Sequence, residues 1–144
     1  MTAIAKYMTA GPHTIGREQS LTAAKQLMHK NHVRHLPVLH AGELVGVVSE
    51  REVDVISALP GSKQLSVEDA MVPDVYAISE DAPLETVAAE MARLKIGSAV
   101  VLKGADVVGV FTAVDGLRAL ADVLRVREQR AVPAGSQRGG SGTL

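Results

Sequence analysis

The sequence repeats itself at an offset of 63 residues, and this duplication constrains the fold more than any other feature. The offset needs no gap from Met8 to Ala58. It superimposes like residues in the same order: Met8 on Met71, Ile15 on Ile78, Leu21 on Leu84, Met28 on Met91, and Val45-Gly46-Val47 on Val108-Gly109-Val110. A single repeat would have only marginal stability, because so short a unit buries too little surface. The two copies are therefore expected to pack as one cooperative unit.

Each copy follows the order β-α-β-β-α. Residues 14–15 and 75–79 are extended, and apolar residues at helical spacing follow from Leu21 and from Leu84. Two β-rich runs around a glycine turn then predict hairpins, at 36–39 with 44–49 and at 98–102 with 107–112. Their nearly continuous apolar runs predict strands buried on both faces. Closing helices are expected at 50–59 and 113–128.

The fold class is therefore α/β (α+β), with two repeats packed through their sheets in pseudo-two-fold symmetry. The repeats are assigned to residues 1–60 and 61–130, and the Gly- and Ser-rich residues 131–144 to a flexible tail. Ser20 and Asp81 are expected to cap the first helix of each copy, and Ser66 to open a short helical turn. Leu117, Leu120, Ala121 and Leu124 share one helix face, which is predicted to be core first and a possible interface second.

Composition excludes several function classes. The formal net charge is -1 with no long run of one sign, which argues against a nucleic-acid partner. The absence of cysteine excludes disulfides and thiolate chemistry. No signal peptide or membrane span is visible, so a soluble, cytoplasmic protein without a membrane partner is expected.

One motif recurs at the end of the second hairpin strand in each copy: a glycine, two apolar residues, a hydroxyl, two variable residues and an acid. It runs Gly46 to Glu52 in copy one and Gly109 to Asp115 in copy two. If the hydroxyl caps the following helix, the acid lies in the first turn on the same side. The helix N-terminus suits a phosphate and the carboxylate suits a ribose diol. A plain capping box is the structural alternative.

Together with these motifs, other segments make the span from about Ala5 to Leu124 resemble the CBS-domain pair, or Bateman module. These segments are Met8-Thr9, Gln26-Leu27-Met28, Val33-Arg34-His35-Leu36-Pro37-Val38, Met71-Val72 and Ile96-Gly97-Ser98-Ala99-Val100-Val101. The resemblance implies two clefts that bind AMP, ADP, ATP, S-adenosylmethionine or a related adenosyl compound, with no catalytic cofactor. It also implies a homodimer formed through helices, and a regulated protein as partner.

Carried over residue by residue, the resemblance assigns a set of residues to each of two nucleotide clefts, which lie between the copies. The first would use His13, Thr14, Ile15, Arg34, His35, Leu36, Pro37, Ser49, Arg51 and Glu52. The second would use Tyr76, Ala77, Ile78, Gly97, Ser98, Ala99, Thr112 and Asp115. Glu52 stands where the family prefers Asp, and its extra methylene moves the carboxylate by about 1.5 Å. Asp115 is therefore expected to contribute more to nucleoside binding than Glu52.

No catalytic or metal-binding constellation is evident, so the chain is not expected to be an enzyme. There is no phosphate-binding lysine loop and no G-x-G-x-x-G after a strand. His29, His32 and His35 are spaced three apart but should not share a helix face, and Glu50, Glu52 and Asp54 are best explained as a solvated helix start. The main alternative to ligand sensing is a structural dimerisation or protein-interaction module with non-binding clefts; a metal- or nucleic-acid-binding regulator is a weaker one.

Overall fold

A computed structural model describes residues 2–131. It confirms two tandem β-α-β-β-α repeats, each starting from a short leading segment. The elements are β1 (Thr9–Ala10), β2 (Ile15–Gly16), α1 (Leu21–Asn31), β3 (His35–His40), β4 (Glu43–Ser49), α2 (Glu50–Ser57), α3 (Val67–Ala70), β5 (Ala77–Ser79), α4 (Leu84–Leu94), β6 (Ser98–Lys103), β7 (Asp106–Thr112) and α5 (Ala113–Ala131). The predicted tail of 131–144 lies outside the described residues except for Ala131, which ends α5.

The helices and strands repeat at the same 63-residue offset as the sequence. Strands β3 and β4 and helix α1 recur as β6, β7 and α4 with bounds shifted by 63 residues. The middle of β3 is buried at three successive residues, and so is the middle of β6. Strands β3 and β6 are therefore covered on both faces, as nearly continuous apolar runs predict, whereas β4 is buried only at Gly46 and Val48.

The two sheets are completed by segments that cross between the repeats. One sheet has the order β2-β3-β4, and the other has the order β1-β7-β6-β5, so β1 from the start of the chain pairs with the second repeat. Reciprocally, Val72 exchanges two backbone hydrogen bonds with Val47 in β4. This reciprocal exchange gives the pair its pseudo-two-fold symmetry.

The hydrophobic cores follow the same exchange. Ile4 is fully buried in the core built by α4, β6 and β7, whereas Val67 and Ala70 are buried in the core built by α1, β3 and β4. The sequence divides into copies near Pro60, but packing joins the leading segment of each copy to the core of the other. Each half therefore depends on the other for part of its interior.

The exchange of segments between the repeats also explains why one predicted helix cap is wrong. Ser20 caps α1 as expected, its Oγ accepting from Ala23 N at 3.0 Å. Asp81, in contrast, does not cap α4, which begins after Pro83. The N–H of Leu84 instead donates to the carbonyl of Thr2 at 2.8 Å. Because the N-terminal segment satisfies this free donor, a side-chain cap is not needed there.

The predicted assignment of the α5 stripe to the core is wrong. Leu117, Leu120 and Leu124 are 66%, 53% and 49% exposed. Among the described residues of α5, the buried side chains are Asp115 and Ala119, which occupy the opposite side of the helix. The periodicity indicates an amphipathic helix correctly, but it cannot say which face packs inward when both faces carry small or apolar residues.

Candidate ligand-binding cleft

A cavity of about 500 Å³ lies between the two repeats. It is lined by His35, Val47, Ser49, Arg51, Glu52, Val55, Ile56, Ala70, Val72, Asp74, Tyr76, Lys95, Ile96, Gly97 and Ser98. Both repeats contribute, because the end of β4 and helix α2 form one wall and the segments before β5 and β6 form the other. A volume of this size is in the range that holds a small organic ligand.

The polar end of the cavity is the N-terminus of α2. Ser49 and Glu52 form a reciprocal capping box: Ser49 N donates to Glu52 Oε1 at 2.8 Å, and Glu52 N donates to Ser49 Oγ at 3.2 Å. The second carboxylate oxygen of Glu52, Oε2, accepts no hydrogen bond from residues 2–131. One oxygen of the carboxylate is therefore held by Ser49 and the other is left as an acceptor, on a side chain that lines the cavity.

The opposite wall is made where the second repeat approaches β3. A Cβ built on Gly97 would lie 3.7 Å from His35 Nε2, so the backbone of Gly97 faces the imidazole across the repeat boundary. Tyr76 and Ser98 lie beside it and are half-buried. The wall therefore combines the aromatic ring of Tyr76 with the hydroxyl group of Ser98.

His35 is the titratable group most affected by this setting. Burial lowers the pKa of His35 below its ordinary value of 6.5, because the surroundings penalise the charged imidazolium. Glu52 acts in the opposite direction on that pKa, and Arg34 adds to the lowering. The imidazole is thus favoured in its neutral form, which can donate and accept one hydrogen bond each.

Charged side chains of both signs surround the cavity. Arg51 and Lys95 supply positive charge, and Asp74 joins Glu52 on the negative side. Lys95 ends α4 in the left-handed conformation with φ 57°, at the position equivalent to His32 with φ 55°. This reversal of the chain directs Ile96 and Gly97 into the wall of the cavity.

The structure regroups the residues that the sequence assigned to two clefts. The cavity brings together members of both assigned sets: His35, Ser49, Arg51, Glu52, Tyr76, Gly97 and Ser98. The cavity therefore mixes the two assigned sets, because the repeats face each other and the acid of one repeat lies near segments of the other.

The remaining predicted residues lie away from this cavity. The side chains of Ile15, Leu36, Pro37 and Ala99 are buried in the interior. Arg34 points outward with its side chain 80% exposed, 4.0 Å from Glu50. The other residues outside the cavity lining are His13, Thr14, Ala77, Ile78, Thr112 and Asp115.

Several lining residues were missed by sequence reasoning. Val55 and Ile56 lie one helical turn after Glu52, a spacing that could have indicated a shared face. Val72, Asp74, Lys95 and Ile96 come from connecting segments, where no periodic pattern indicates which side chains face a cleft. Their positions follow only from the exchange of segments between the repeats.

The cleft related to this one by the internal symmetry has a different interior. Asp115 is 3% exposed, and its Oδ2 accepts from Thr112 N at 2.9 Å and from Thr112 Oγ1 at 3.2 Å. Its Oδ1 accepts from Arg118 Nη1 at 2.9 Å. A second cavity, also of about 500 Å³, lies near Arg118, lined by Lys6, Tyr7, Arg118, Ala121, Asp122 and Arg125. Neither Thr112 nor Asp115 reaches its surface.

The residues considered for a metal site are dispersed. His29 Nε2 lies 3.1 Å from Glu50 Oε2, His32 is the C-cap residue after α1, and His35 lines the cavity. Asp54 pairs with Lys25 at 2.7 Å. Within residues 2–131, no three His, Asp or Glu side chains gather as ligands of one ion would. Over the same range, no helix has the length and apolarity to cross a bilayer.

Comparison with known proteins places these observations in a family. The family model described as CBS domain matches twice, at residues 4–56 and 67–122. Among curated proteins, the chain is 30% identical over 117 residues to L-aspartate semialdehyde sulfurtransferase of Methanocaldococcus jannaschii, covering 80% of this chain and 22% of that protein. It is 34% identical over 103 residues to inosine-5'-monophosphate dehydrogenase of Korarchaeum cryptofilum, covering 71% of this chain and 21% of that protein. The chain thus spans about a fifth of the length of these relatives.

Solved structures give the same result over nearly their whole length. A candidate acetoin utilization protein (AcuB) from Vibrio cholerae superimposes with a TM-score of 0.76 at 30% identity, covering 90% of this chain and 97% of that one. The CBS domain pair of protein MJ0100, solved in complex with 5'-methylthioadenosine and S-adenosyl-L-methionine, superimposes with a TM-score of 0.78 at 25% identity. That match covers 85% of this chain and 98% of the other.

Proposed function

The chain belongs to the CBS domain family as a tandem pair, and from this premise we propose that it is a regulatory module that binds an adenosyl ligand between its repeats. The candidate ligands are AMP, ADP, ATP and S-adenosylmethionine. The module acts by binding rather than by catalysis, as a homodimer that transmits the bound state to a regulated protein.

The observation that carries this proposal is the free Glu52 oxygen at the cavity end of α2. Glu52 is fixed by its bond to Ser49, so its second oxygen can accept from a ribose hydroxyl without reorganising the helix. The helix N-terminus beside it adds positive potential for an anionic group. A diol acceptor next to an anion-binding helix end is the arrangement that a nucleotide requires.

The rest of the cavity suits the remaining parts of such a ligand. Val72, Tyr76 and Ile96 provide apolar surface against which an adenine ring can pack. Arg51 and Lys95 can neutralise phosphates or the carboxylate of S-adenosylmethionine. The MJ0100 domain pair, solved with two adenosyl compounds, supports this class of ligand.

This geometry reverses the order of importance that the sequence suggested for the two acids. Glu52 has a free oxygen in an open cavity, whereas both oxygens of Asp115 already accept hydrogen bonds from the protein. We therefore expect Glu52, despite its extra methylene, to contribute more to ribose binding than Asp115.

A thermal-shift panel with AMP, ADP, ATP and S-adenosylmethionine tests the proposal. A ligand present at 100 times its Kd should stabilise the fold by about 2.7 kcal/mol. Glu52→Gln should remove most of that shift, because the amide keeps an acceptor for Ser49 N but loses the charge. Asp54→Asn is the matched control, since Asp54 lies on the same helix outside the cavity lining and should leave the shift unchanged.

The second candidate function is a structural dimerisation or protein-interaction module without a bound ligand. The exposed leucines of α5 favour it, since such a stripe is usually covered by another surface. If no ligand of the panel at millimolar concentration shifts the melting temperature, while substitutions in the stripe still change assembly, this second function replaces the first.

A further inference from the structure

Among the positions that differ between the open cleft and its symmetry mate, two place a hydrogen-bond donor beside the acid of the mate. Val55 and Val72 line the cavity at Glu52. The residues 63 positions away from them in the repeat are Arg118 and Thr9. At both positions an apolar side chain in the open cleft is replaced by a hydrogen-bond donor in the other.

Both of these donors are directed at Asp115. Arg118 Nη1 lies 2.9 Å from Asp115 Oδ1, and Thr9 Oγ1 lies 3.4 Å from each carboxylate oxygen. Asp115 is the acid that would bind a ribose in this cleft. Together with Thr112, Arg118 and Thr9 supply it with a full set of hydrogen-bond donors from the protein. Glu52, its counterpart, has one partner at its carboxylate, and the residue three positions after it is Val55 instead of an arginine.

We propose that Arg118 and Thr9 close the second cleft by occupying Asp115, so that each chain binds a single adenosyl ligand, at Glu52. This rests on the function proposed above and adds its stoichiometry and the residues that set it. The physical reason is competition: a neutral ribose hydroxyl must displace a charge-assisted hydrogen bond from a guanidinium tethered one helical turn away. The tether makes this competitor present at a high effective concentration.

Titration calorimetry with AMP, and separately with S-adenosylmethionine, tests the proposal. The wild-type chain should bind one equivalent. The double variant Thr9→Val/Arg118→Val, which copies Val72 and Val55 into the second cleft, should bind two. Arg127→Val is the matched control: it removes an arginine of the same helix that lines neither cavity, and should leave the stoichiometry at one.

The reciprocal variant closes the open cleft. Val55→Arg places a guanidinium three residues after Glu52, the spacing of Arg118 to Asp115, and should abolish the single binding event. Two equivalents bound by the wild-type chain would overturn the proposal. So would one equivalent bound by the double variant, if its circular dichroism spectrum shows that it is folded.

A measurement without ligand separates this proposal from the proposed function. Nitrogen-15 relaxation at Arg Nε should show Arg118 restricted on the nanosecond timescale in the wild type and released in Asp115→Asn, with Arg51 mobile in both. A mobile Arg118 in the wild type would refute the closed cleft even if AMP binds. A chain that binds none of the adenosyl ligands would refute the proposed function, and the relaxation of Arg118 would still decide whether the cleft is closed.

Discussion

The side chain of Met71 covers Gly46 so closely that no Cβ fits between them. A Cβ on Gly46 would also come within 3.0 Å of the carbonyl oxygen of Val72. The same arrangement recurs 63 residues on, where Met8 covers Gly109. The two glycines therefore mark the points at which each exchanged segment crosses the hairpin of the other repeat.

Gly46→Ala should reduce the free energy of unfolding by about 1–3 kcal/mol, because the new methyl group overpacks a close backbone contact. Chemical denaturation measures this loss. Gly97→Ala is the control, since its Cβ would meet His35 Nε2 at an ordinary 3.7 Å and should cost less. Met71→Ala combined with Gly46→Ala should show a loss smaller than the sum of the two single losses, because it removes one of the overlapping groups. Strictly additive losses would contradict this explanation.

Asp115→Ala and Glu52→Ala should differ in their effect on stability. Asp115 is 3% exposed and satisfies the N–H of Thr112, so its removal leaves a half-buried donor unpaired and should cost about 2 kcal/mol. Glu52→Ala removes one capping interaction at a more accessible helix end and should cost about 1 kcal/mol. Urea unfolding of both variants checks the difference, and equal losses would show that burial of Asp115 adds nothing.

Stability should fall as the pH drops below about 6.5, the pKa of an unfolded histidine, because of His35. Burial lowers the pKa of His35 in the folded chain, so the unfolded chain binds the proton more readily. The contribution of the neutral imidazole is fully present above the unfolded pKa. It is lost as the pH falls from there towards the folded pKa.

The melting temperature between pH 7.5 and 5.5 measures this effect. His35→Gln should flatten the decline over that window, whereas His40→Gln, at the exposed end of β3, should leave it as in the wild type. A decline that is unchanged in His35→Gln would assign the pH dependence to other groups.

The leucine stripe of α5 should hold a second copy of the chain. Leu117→Asp places a charge at its most exposed leucine and should shift the chain towards monomer in light scattering coupled to size exclusion. Leu94→Asp, at the end of α4 and 41% exposed, is a control for adding an acid to an exposed apolar position. If the molar mass of Leu117→Asp equals that of the wild type, the leucine stripe is not part of the dimer interface.

Local patterns predicted the elements and the repeat well. The hydroxyl of Ser20, the capping box at Ser49 and the short turn after Ser66 were readable because caps depend on residues three positions apart. The cap of α4 could not be predicted from local sequence, because the acceptor is the carbonyl of Thr2, which is far away in the chain. The predicted burial of the leucine stripe of α5 was wrong for a related reason. The period of the apolar residues identifies a helix face, but not the element that packs against that face.

The sequence by itself determined that the chain has two equivalent β-α-β-β-α units, that Ser20, Ser49 and Ser66 open helices, and which motif holds a hydroxyl beside an acid. These are consequences of short-range geometry and of the duplication. Only the tertiary structure decided that Glu52 lines a cavity with segments of the other repeat and that Thr9 reaches Asp115. Those contacts join residues from segments exchanged between two similar units, and no local spacing specifies which copy a segment joins.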